Sequence, residues 1–351
     1  MQAWTHTSAG PHSAVLSLIQ IPIPAILSPT QVLIRISHAA LNPGASIIMK
    51  LLPFVFRCAP AIPEMDFSGV IIKCGSSVPP ARNLQNGTHV FGSIPVGQHV
   101  KSTSGALAEF VVVEHEAIVR KPDAAILEEV VGLGIAGASA LQLLKYARLK
   151  KGDSVLVNGA SGGIGHLVLQ MCRAEVGETG RVVAVCSTDN VGWVREYGAD
   201  EVIDYKAHDS VQTHLATAYA SSRFNAVIDA VGIQDIFNHC PAFLAEGKPF
   251  VSIGPKAKSY TYGALIATIG LMLQNALLPR FLGGVPREYA QVTGITNLEA
   301  MEQLAKMMEK GTLRVKVGTV VTMRDVPEAY QKLLSGHAQG KIVVKIQHES
   351  T

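Results

Sequence analysis

Gly159-Ala160-Ser161-Gly162-Gly163-Ile164-Gly165 stands at the middle of the chain, between an apolar run and an amphipathic one. The run before it, Asp153-Ser154-Val155-Leu156-Val157-Asn158, reads as a buried parallel strand. The stretch after it, His166 to Ala174, has apolar residues at helical spacing in Leu167, Val168 and Met171. A tight glycine turn between strand and helix lets backbone amides approach a pyrophosphate and aims a helix N-terminus at its charge. Read as Ala160-x-Gly162-x-x-Gly165, the turn is a dinucleotide fingerprint with alanine at the first place. Glycine-rich turns also join strands to helices for steric reasons alone, but here the flanking strand and helix are both present. Ala160, Ser161, Gly162, Gly163, Ile164 and Gly165 are therefore expected to bind a cofactor.

The residues beyond the turn bear on which cofactor. Arg181-Val182-Val183-Ala184-Val185-Cys186 is a second apolar strand. An NAD-binding fold places an Asp or Glu near its end to hold the ribose hydroxyls. This chain has Cys186-Ser187-Thr188 there, so the carboxylate that repels a 2′-phosphate is missing, although Asp189 follows closely. Hydroxyls of Ser187, Thr188 and Tyr205 can hydrogen-bond a phosphate, with no adjacent Arg or Lys seen to add charge. NADPH is the expected cofactor. Two further strands, Ala226 to Gly232 and Pro249 to Gly254, each end in glycine. Strand ends of a doubly wound sheet line the ligand crevice, so Val231, Gly232, Ile253 and Gly254 are expected to let backbone close on the cofactor.

At 351 residues the chain is long enough for two domains with their own cores. The formal charge is +3 and Lys and Arg are scattered, so nothing calls for nucleic acid. Five cysteines without a Cys-x-x-Cys pair fit a reducing compartment. With no signal-peptide layout at the start, a cytoplasmic location is expected. Asn86-Gly87-Thr88 is formally a glycosylation sequon and reads as a turn. Residues 1–124 hold short alternating runs, such as Gln31 to Ile36 and Glu109 to Val113, punctuated by Pro and Gly, which predicts a mostly β domain. Strands alternate with helices over 125–295, which predicts a doubly wound α/β sheet. Residues 296–351 return with a helix (Leu298 to Lys310), a strand (Leu313 to Val321), a helix (Pro327 to Leu334) and a last strand (Lys341 to Ile346).

Several segments in register resemble the medium-chain dehydrogenase/reductase superfamily, and in particular its zinc-independent quinone oxidoreductase and enoyl reductase branch. They are Asn42-Pro43, Asp66-Phe67-Ser68-Gly69-Val70, Val90-Phe91-Gly92, Gly105 to Phe110, Ala136 to Gln142, the glycine turn, Gly198 to Tyr205, and Gly336 to Lys341. The resemblance covers nearly the whole chain. It implies a GroES-like β domain (1–124 and 296–351) and a Rossmann domain (125–295), with substrate between them. It also implies cofactor contacts at Ser139 and Lys341. A helix-start serine such as Ser139 needs no functional reason, however.

Zinc-dependent members of this superfamily carry Gly-His-Glu where this chain has Glu64-Met65-Asp66. Methionine is a poor zinc ligand, and no Cys stands near Asn42 to supply another. No metal is expected. Without a Lewis acid, the natural chemistry is hydride delivery to an activated alkene or a quinone, with the protein positioning the reactants. The resemblance implies Asn, Asp and Tyr around the pocket. Asn42 matches the first and is the expected catalytic residue, or else it caps the turn before Pro43. Ala45 and Ile47 replace the other two, which implies an apolar substrate or protonation by water. The depleted pocket also keeps open a second reading, a cofactor-binding scaffold or NADPH sensor with little turnover. From Ala264 to Leu278 only Thr268, Gln274 and Asn275 are polar. As a helix these 15 residues reach roughly 22 Å, short of the approximately 30 Å bilayer core. A buried helix, a cleft wall or a subunit contact is expected, with a peripheral membrane contact as a further alternative, and the partners are a lipophilic small molecule and at most a second copy of the chain.

Overall fold

The computed structural model describes residues 1–346. They form two compact units, one made of Met1–Ala138 with the chain from Ile295 onward, the other Ser139–Gly294.

The first unit opens with an antiparallel pair, β1 (Gln2–Thr5) and β2 (Ser17–Gln20). Its main sheet then uses β3 (Gln31–Ala40), β4 (Asp66–Cys74), β5 (His89–Ser93), β6 (Phe110–Glu114) and β7 (Ile118–Arg120). In β3 the residues Val32, Ile34 and Ile36 are fully buried while their neighbours are less so. This is the period-2 pattern of a sheet with one face on a core.

The second unit is built on β8 (Ser154–Asn158), β9 (Arg181–Cys186), β10 (Glu201–Asp204), β11 (Ala226–Asp229), β12 (Pro249–Ser252) and β13 (Glu288–Gln291). They lie in the order β10-β9-β8-β11-β12-β13, and every pair is parallel. Counted from β8, this is the 3-2-1-4-5-6 order of a dinucleotide-binding sheet. The apolar runs of β8, β9 and β11 are continuous because helices cover both faces. The chain order reverses between β8 and β11, and that switch point lies at the glycine turn.

The return supplies β14 (Val317–Thr322) and β15 (Lys341–Lys345), and the first unit's sheet runs β14-β15-β3-β4-β5-β7, with β6 paired to β3. β15 lies antiparallel to the end of β3, so Lys341 comes beside Leu41 and Asn42 despite some 300 residues of intervening chain.

Three sequence expectations shift. Residues 125–138 belong to the first unit, because the turns from Leu127 to Leu133 pack on β3, β4 and β5. The strand expected from Leu313 begins only at Val317. Leu313 and Val315 are buried alternately but lie outside any strand. The apolar stretch at 262–284 forms a helix, Tyr262–Leu277, and it is not a buried one. Only Thr268 is buried, and Ile266 and Leu277 are 70% and 71% exposed. The helical run Leu127–Ala147 is long and apolar enough to cross a membrane, but 61% of its most apolar window is buried, as in a core helix.

Candidate functional site

The turn after β8 is held from within. The N–H groups of Gly159 and Ala160 both donate to the Val185 carbonyl, and Gly162 N–H donates to Gly159 O at 3.0 Å. Gly159 has φ +73°, where a side chain is costly. At Gly165, the first residue of the helix Gly165–Val176, a Cβ would overlap the Gly159 carbonyl. At Gly162, by contrast, a Cβ would meet only Gly159 O, at 3.4 Å, and otherwise open space. The N–H groups of Ser161, Gly163 and Ile164 donate to no protein acceptor among the described residues. Open space over Gly162 and unspent donors at a helix N-terminus fit a pyrophosphate.

The other strand ends meet this turn. Asp229, buried at the end of β11, accepts N–H bonds from Val231, Gly232 and Ile233 at 2.7–3.0 Å. It also takes 2.8 Å from Asn158 Nδ2. That carboxylate shapes the 230–233 loop. Gly232 and Gly254 both have positive φ, and a Cβ on Gly232 would overlap the Gly254 carbonyl. The 230–233 and 253–254 backbones thereby approach each other closely at the ends of β11 and β12.

Beyond β9, Ser187 Oγ accepts 2.7 Å from Asn190 Nδ2, and Tyr205 is 41% exposed. The sequence reading missed Asp204, which is directly opposite Cys186 in the β9–β10 register. Its Oδ2 accepts from Thr188 Oγ1 at 2.6 Å and its Oδ1 from Lys206 N–H at 2.9 Å. The Thr188 hydrogen bond, with Lys206 beside it, holds this carboxyl below the usual range. Burial, with Asp204 adding to it, pushes the Cys186 thiol up to about 12, so the thiol stays neutral. Lys206, next to Tyr205 in the chain, puts a positive charge beside this carboxyl that the sequence reading did not count.

Asn42 lies in the first unit, in a buried polar cluster. Its backbone N–H donates to Glu64 Oε2 at 3.0 Å, and its Nδ2 donates to Asp66 Oδ2 at 2.9 Å and Ala40 O at 3.2 Å. Its Oδ1 accepts 2.8 Å from Lys341 Nζ. Its side chain makes no cap hydrogen bond to the helix Pro43–Leu51. Both side-chain hydrogens are committed to protein acceptors and the residue is 5% exposed, so Asn42 offers no free N–H in this arrangement. Lys341 is likewise 3% exposed and turned onto Asn42, Leu41 O and, at 4.0 Å, Asp66.

Asp66 accepts the Ile135 N–H at 3.0 Å, and a Cβ on Gly134 would overlap its carboxylate. It thereby caps the helix Gly134–Ala147, which carries Ser139, also buried. Tyr330 O–H donates to Glu64 Oε1 at 2.8 Å. Glu64 sits at φ +64°, a conformation L-residues avoid. Complete burial pushes its carboxyl up to about 8, against the pull of Tyr330 and Lys341. Two acids and one base would leave a buried net negative charge if all ionised. Burial keeps the proton on Glu64 at neutral pH, and Lys341 stands in ion-pair reach of Asp66 instead. Met65, between the two acids, is 3% exposed and packs in the hydrophobic core.

A sheet in dinucleotide order with a glycine cradle at its switch point, together with a β-rich unit formed by both ends of the chain, defines a nicotinamide-dependent dehydrogenase or reductase. Residues 28–123 match the alcohol dehydrogenase GroES-like domain family, and residues 197–344 the zinc-binding dehydrogenase family. The chain is 33% identical to the trans-enoyl reductase poxH of Penicillium oxalicum, over 99% of this chain and 98% of that protein. It is 30% identical to the chloroplast envelope quinone oxidoreductase homolog of Arabidopsis thaliana, over 98% of each. The quinone oxidoreductase structure from Coxiella burnetii superposes with a TM-score of 0.78 at 27% identity, covering 99% of both chains. The chain belongs to the medium-chain dehydrogenase/reductase superfamily, in its enoyl reductase and quinone oxidoreductase-like branch, and is an oxidoreductase.

Proposed function

We propose that the chain is a zinc-independent, NADPH-dependent reductase of an activated alkene or a quinone, acting on a lipophilic substrate. The observation that carries this reading is the cradle at Gly162. It leaves space and free N–H donors for a pyrophosphate, in a chain whose metal-ligand position is a core methionine. Among the described residues, no three His, Cys, Asp or Glu side chains gather in a way that could hold a metal ion. The nicotinamide, when bound, supplies the hydride. The chain's own share is to seat the cofactor on the Ser161–Gly165 backbone and to hold the helix bearing Ser139 through Asp66. Asn42 and Lys341 then act as positioning residues, and water delivers the proton.

The preference for NADPH rests on the absence of an acid at Cys186 and on Ser187 and Tyr205, since Thr188 spends its one hydroxyl hydrogen on Asp204. Asp204 argues less against it than its charge suggests, because both its oxygens are already bonded within the protein. Steady-state reduction of a panel of enones and quinones, with NADPH or NADH and with or without chelator, tests the whole reading. A kcat/KM about ten- to a hundredfold higher with NADPH is expected, the range of a charge-assisted phosphate hydrogen bond. Activity that vanishes on chelation and returns with zinc overturns the metal-free assignment.

The cradle itself is tested by a pair of variants. Gly162→Val should keep the melting temperature and lose NADPH binding by calorimetry, since its side chain enters only open space. Gly165→Val should destabilise the protein, since its side chain meets the turn's own backbone. Unchanged NADPH affinity in folded Gly162→Val removes the cradle from the cofactor site.

A further inference from the structure

The first unit holds a second buried polar cluster, in which bases gather without an acid partner among the described residues. Arg57, just after the turn Phe54–Phe56, is 8% exposed, and His6 and His99 are each 2% exposed. His6 and Ala61 exchange backbone hydrogen bonds of 3.0 and 2.9 Å, which fixes the 54–61 loop against the end of β1. Cys58 Sγ donates to Lys101 O at 3.1 Å, tying the same loop to the helix Val96–Lys101 that carries His99. The Phe54 ring touches two of the bases. The Arg57 guanidinium stands 5.1 Å from its centroid, and the His6 ring meets it edge-on at 5.3 Å.

These bases are poorly partnered. Among the described residues Arg57 makes one long side-chain hydrogen bond, 3.4 Å to Ile48 O, and no ion pair. Its Nε and the Nε2 of His6 are buried without a partner. His6 Nδ1 donates to Ser8 O at 3.0 Å and His99 Nδ1 to Ser104 O at 2.9 Å. In the neutral rings each Nε2 is therefore a bare acceptor. Burial drives His99 down to about 4, with Arg57 and His6 adding to the fall, and burial lowers His6 as well. A guanidinium cannot shed its charge in this way. A buried, unpaired Arg is costly to keep, and a buried charge is ordinarily paired. Next to it, Val55 and Phe56 are 82% and 65% exposed, an apolar lip on the same loop.

We propose that Arg57, His6 and His99 form a binding site for an anionic head group, a carboxylate or a phosphate ester, carried on an apolar body. The anion supplies the charge that Arg57 lacks. It also favours protonation of the two imidazoles, which turns their bare Nε2 atoms into donors. Val55 and Phe56 give the apolar body a surface. The site uses none of the cofactor-turn residues and its test needs no turnover, so it stands or falls independently of the reductase reading.

The test is calorimetry and thermal melting of the full chain with octanoate, octyl phosphate, acetate, inorganic phosphate and octylamine. Octanoate or octyl phosphate should bind and raise the melting temperature, and whichever binds more tightly identifies the head group. The short anions should bind at least tenfold more weakly, and octylamine should not bind. Arg57→Met should weaken binding at least tenfold, while the ligand-free variant melts no lower than wild type because an unpaired buried charge is gone. A merely structural arginine gives the opposite sign of stability change. His99→Gln is the second variant and should weaken the same probe while remaining folded. No binding by either amphiphilic anion overturns the proposal, as does equal binding by wild type and both variants, or an Arg57→Met protein that melts early. Equal binding of acetate and octanoate removes the apolar half.

Discussion

The two buried polar clusters of the first unit are built from different residue types and reach opposite states. Around Asp66, Asn42 and Lys341 meet within the cluster all the demands the structure makes of them, and the surplus charge is removed by a proton on Glu64. Around Arg57, His6 and His99 the charges share one sign, and two of the three bases are kept neutral by burial. A closed network rigidifies what it touches, here the start of the helix carrying Ser139. An open one is waiting for a partner. Burial alone does not separate these cases, since the residues of both clusters are nearly inaccessible. The inventory of donors and acceptors does.

The largest effect expected from breaking the closed cluster is at Lys341. Lys341→Met leaves the Asp66 carboxylate buried without its cation, which typically costs about 3–5 kcal/mol. At roughly 2–4 °C per kcal/mol for a unit of this size, the melting temperature should fall by about 10 °C. The contrast with Arg57→Met, expected to melt no lower than wild type, is the sharpest form of the comparison. If Lys341→Met instead melts normally and loses NADPH affinity, the lysine serves the cofactor, as the family resemblance implies, and the cluster is not closed.

Glu64 gives a pH dependence with a definite sign. Its carboxyl is raised from 4.5 to about 8 in the folded protein, so the folded state binds this proton more tightly than the unfolded chain. The stabilisation is fully present below about pH 4.5 and is lost as pH rises towards 8. Glu64→Gln keeps a neutral, hydrogen-bonding group at the same backbone position. Melting curves from pH 5 to 9 should fall by roughly 5 °C or more for wild type, relative to a flatter profile for the variant. Parallel profiles would mean that Glu64 holds its proton no more tightly in the folded protein than in the unfolded chain.

The sequence made the cofactor half legible because its signals are local. The glycine turn, the strands around it and the glycines at 232 and 254 each emerge from a few consecutive residues. Asp204 was hidden because only the β9–β10 register brings it opposite Cys186, 18 residues away in the chain. The Asp66 cluster was further out of reach, as it needs β3, β4 and β15 side by side and a tyrosine from the 326–334 helix. Asn42 was singled out by its type and by the proline after it, and nothing in the sequence showed that its amide would be spent on Asp66 and Lys341. Of the readings open for Tyr262–Leu277, the buried helix fails for the opposite reason. A run of apolar residues reads as core until the structure shows which neighbours are missing.

The smallest effect expected is at Asn42 itself, and it decides between two roles for that residue. Asn42→Ala keeps the backbone N–H to Glu64 but removes one hydrogen bond from Asp66 and one from Lys341. Leaving buried groups short of a partner costs about 1–3 kcal/mol, so the variant should melt a few degrees lower than wild type. If its role is to hold Asp66 and Lys341 in place, kcat should fall by less than the 10²–10⁴-fold that general-acid help typically provides. KM for NADPH should stay near the wild-type value. Asn42→Asp adds a third carboxylate beside Asp66 and should be worse than alanine for stability, an order that a purely catalytic amide does not predict. A complete loss of turnover in Asn42→Ala, with NADPH binding and melting temperature intact, would place the amide on the reacting atoms and require the cluster to open during the reaction.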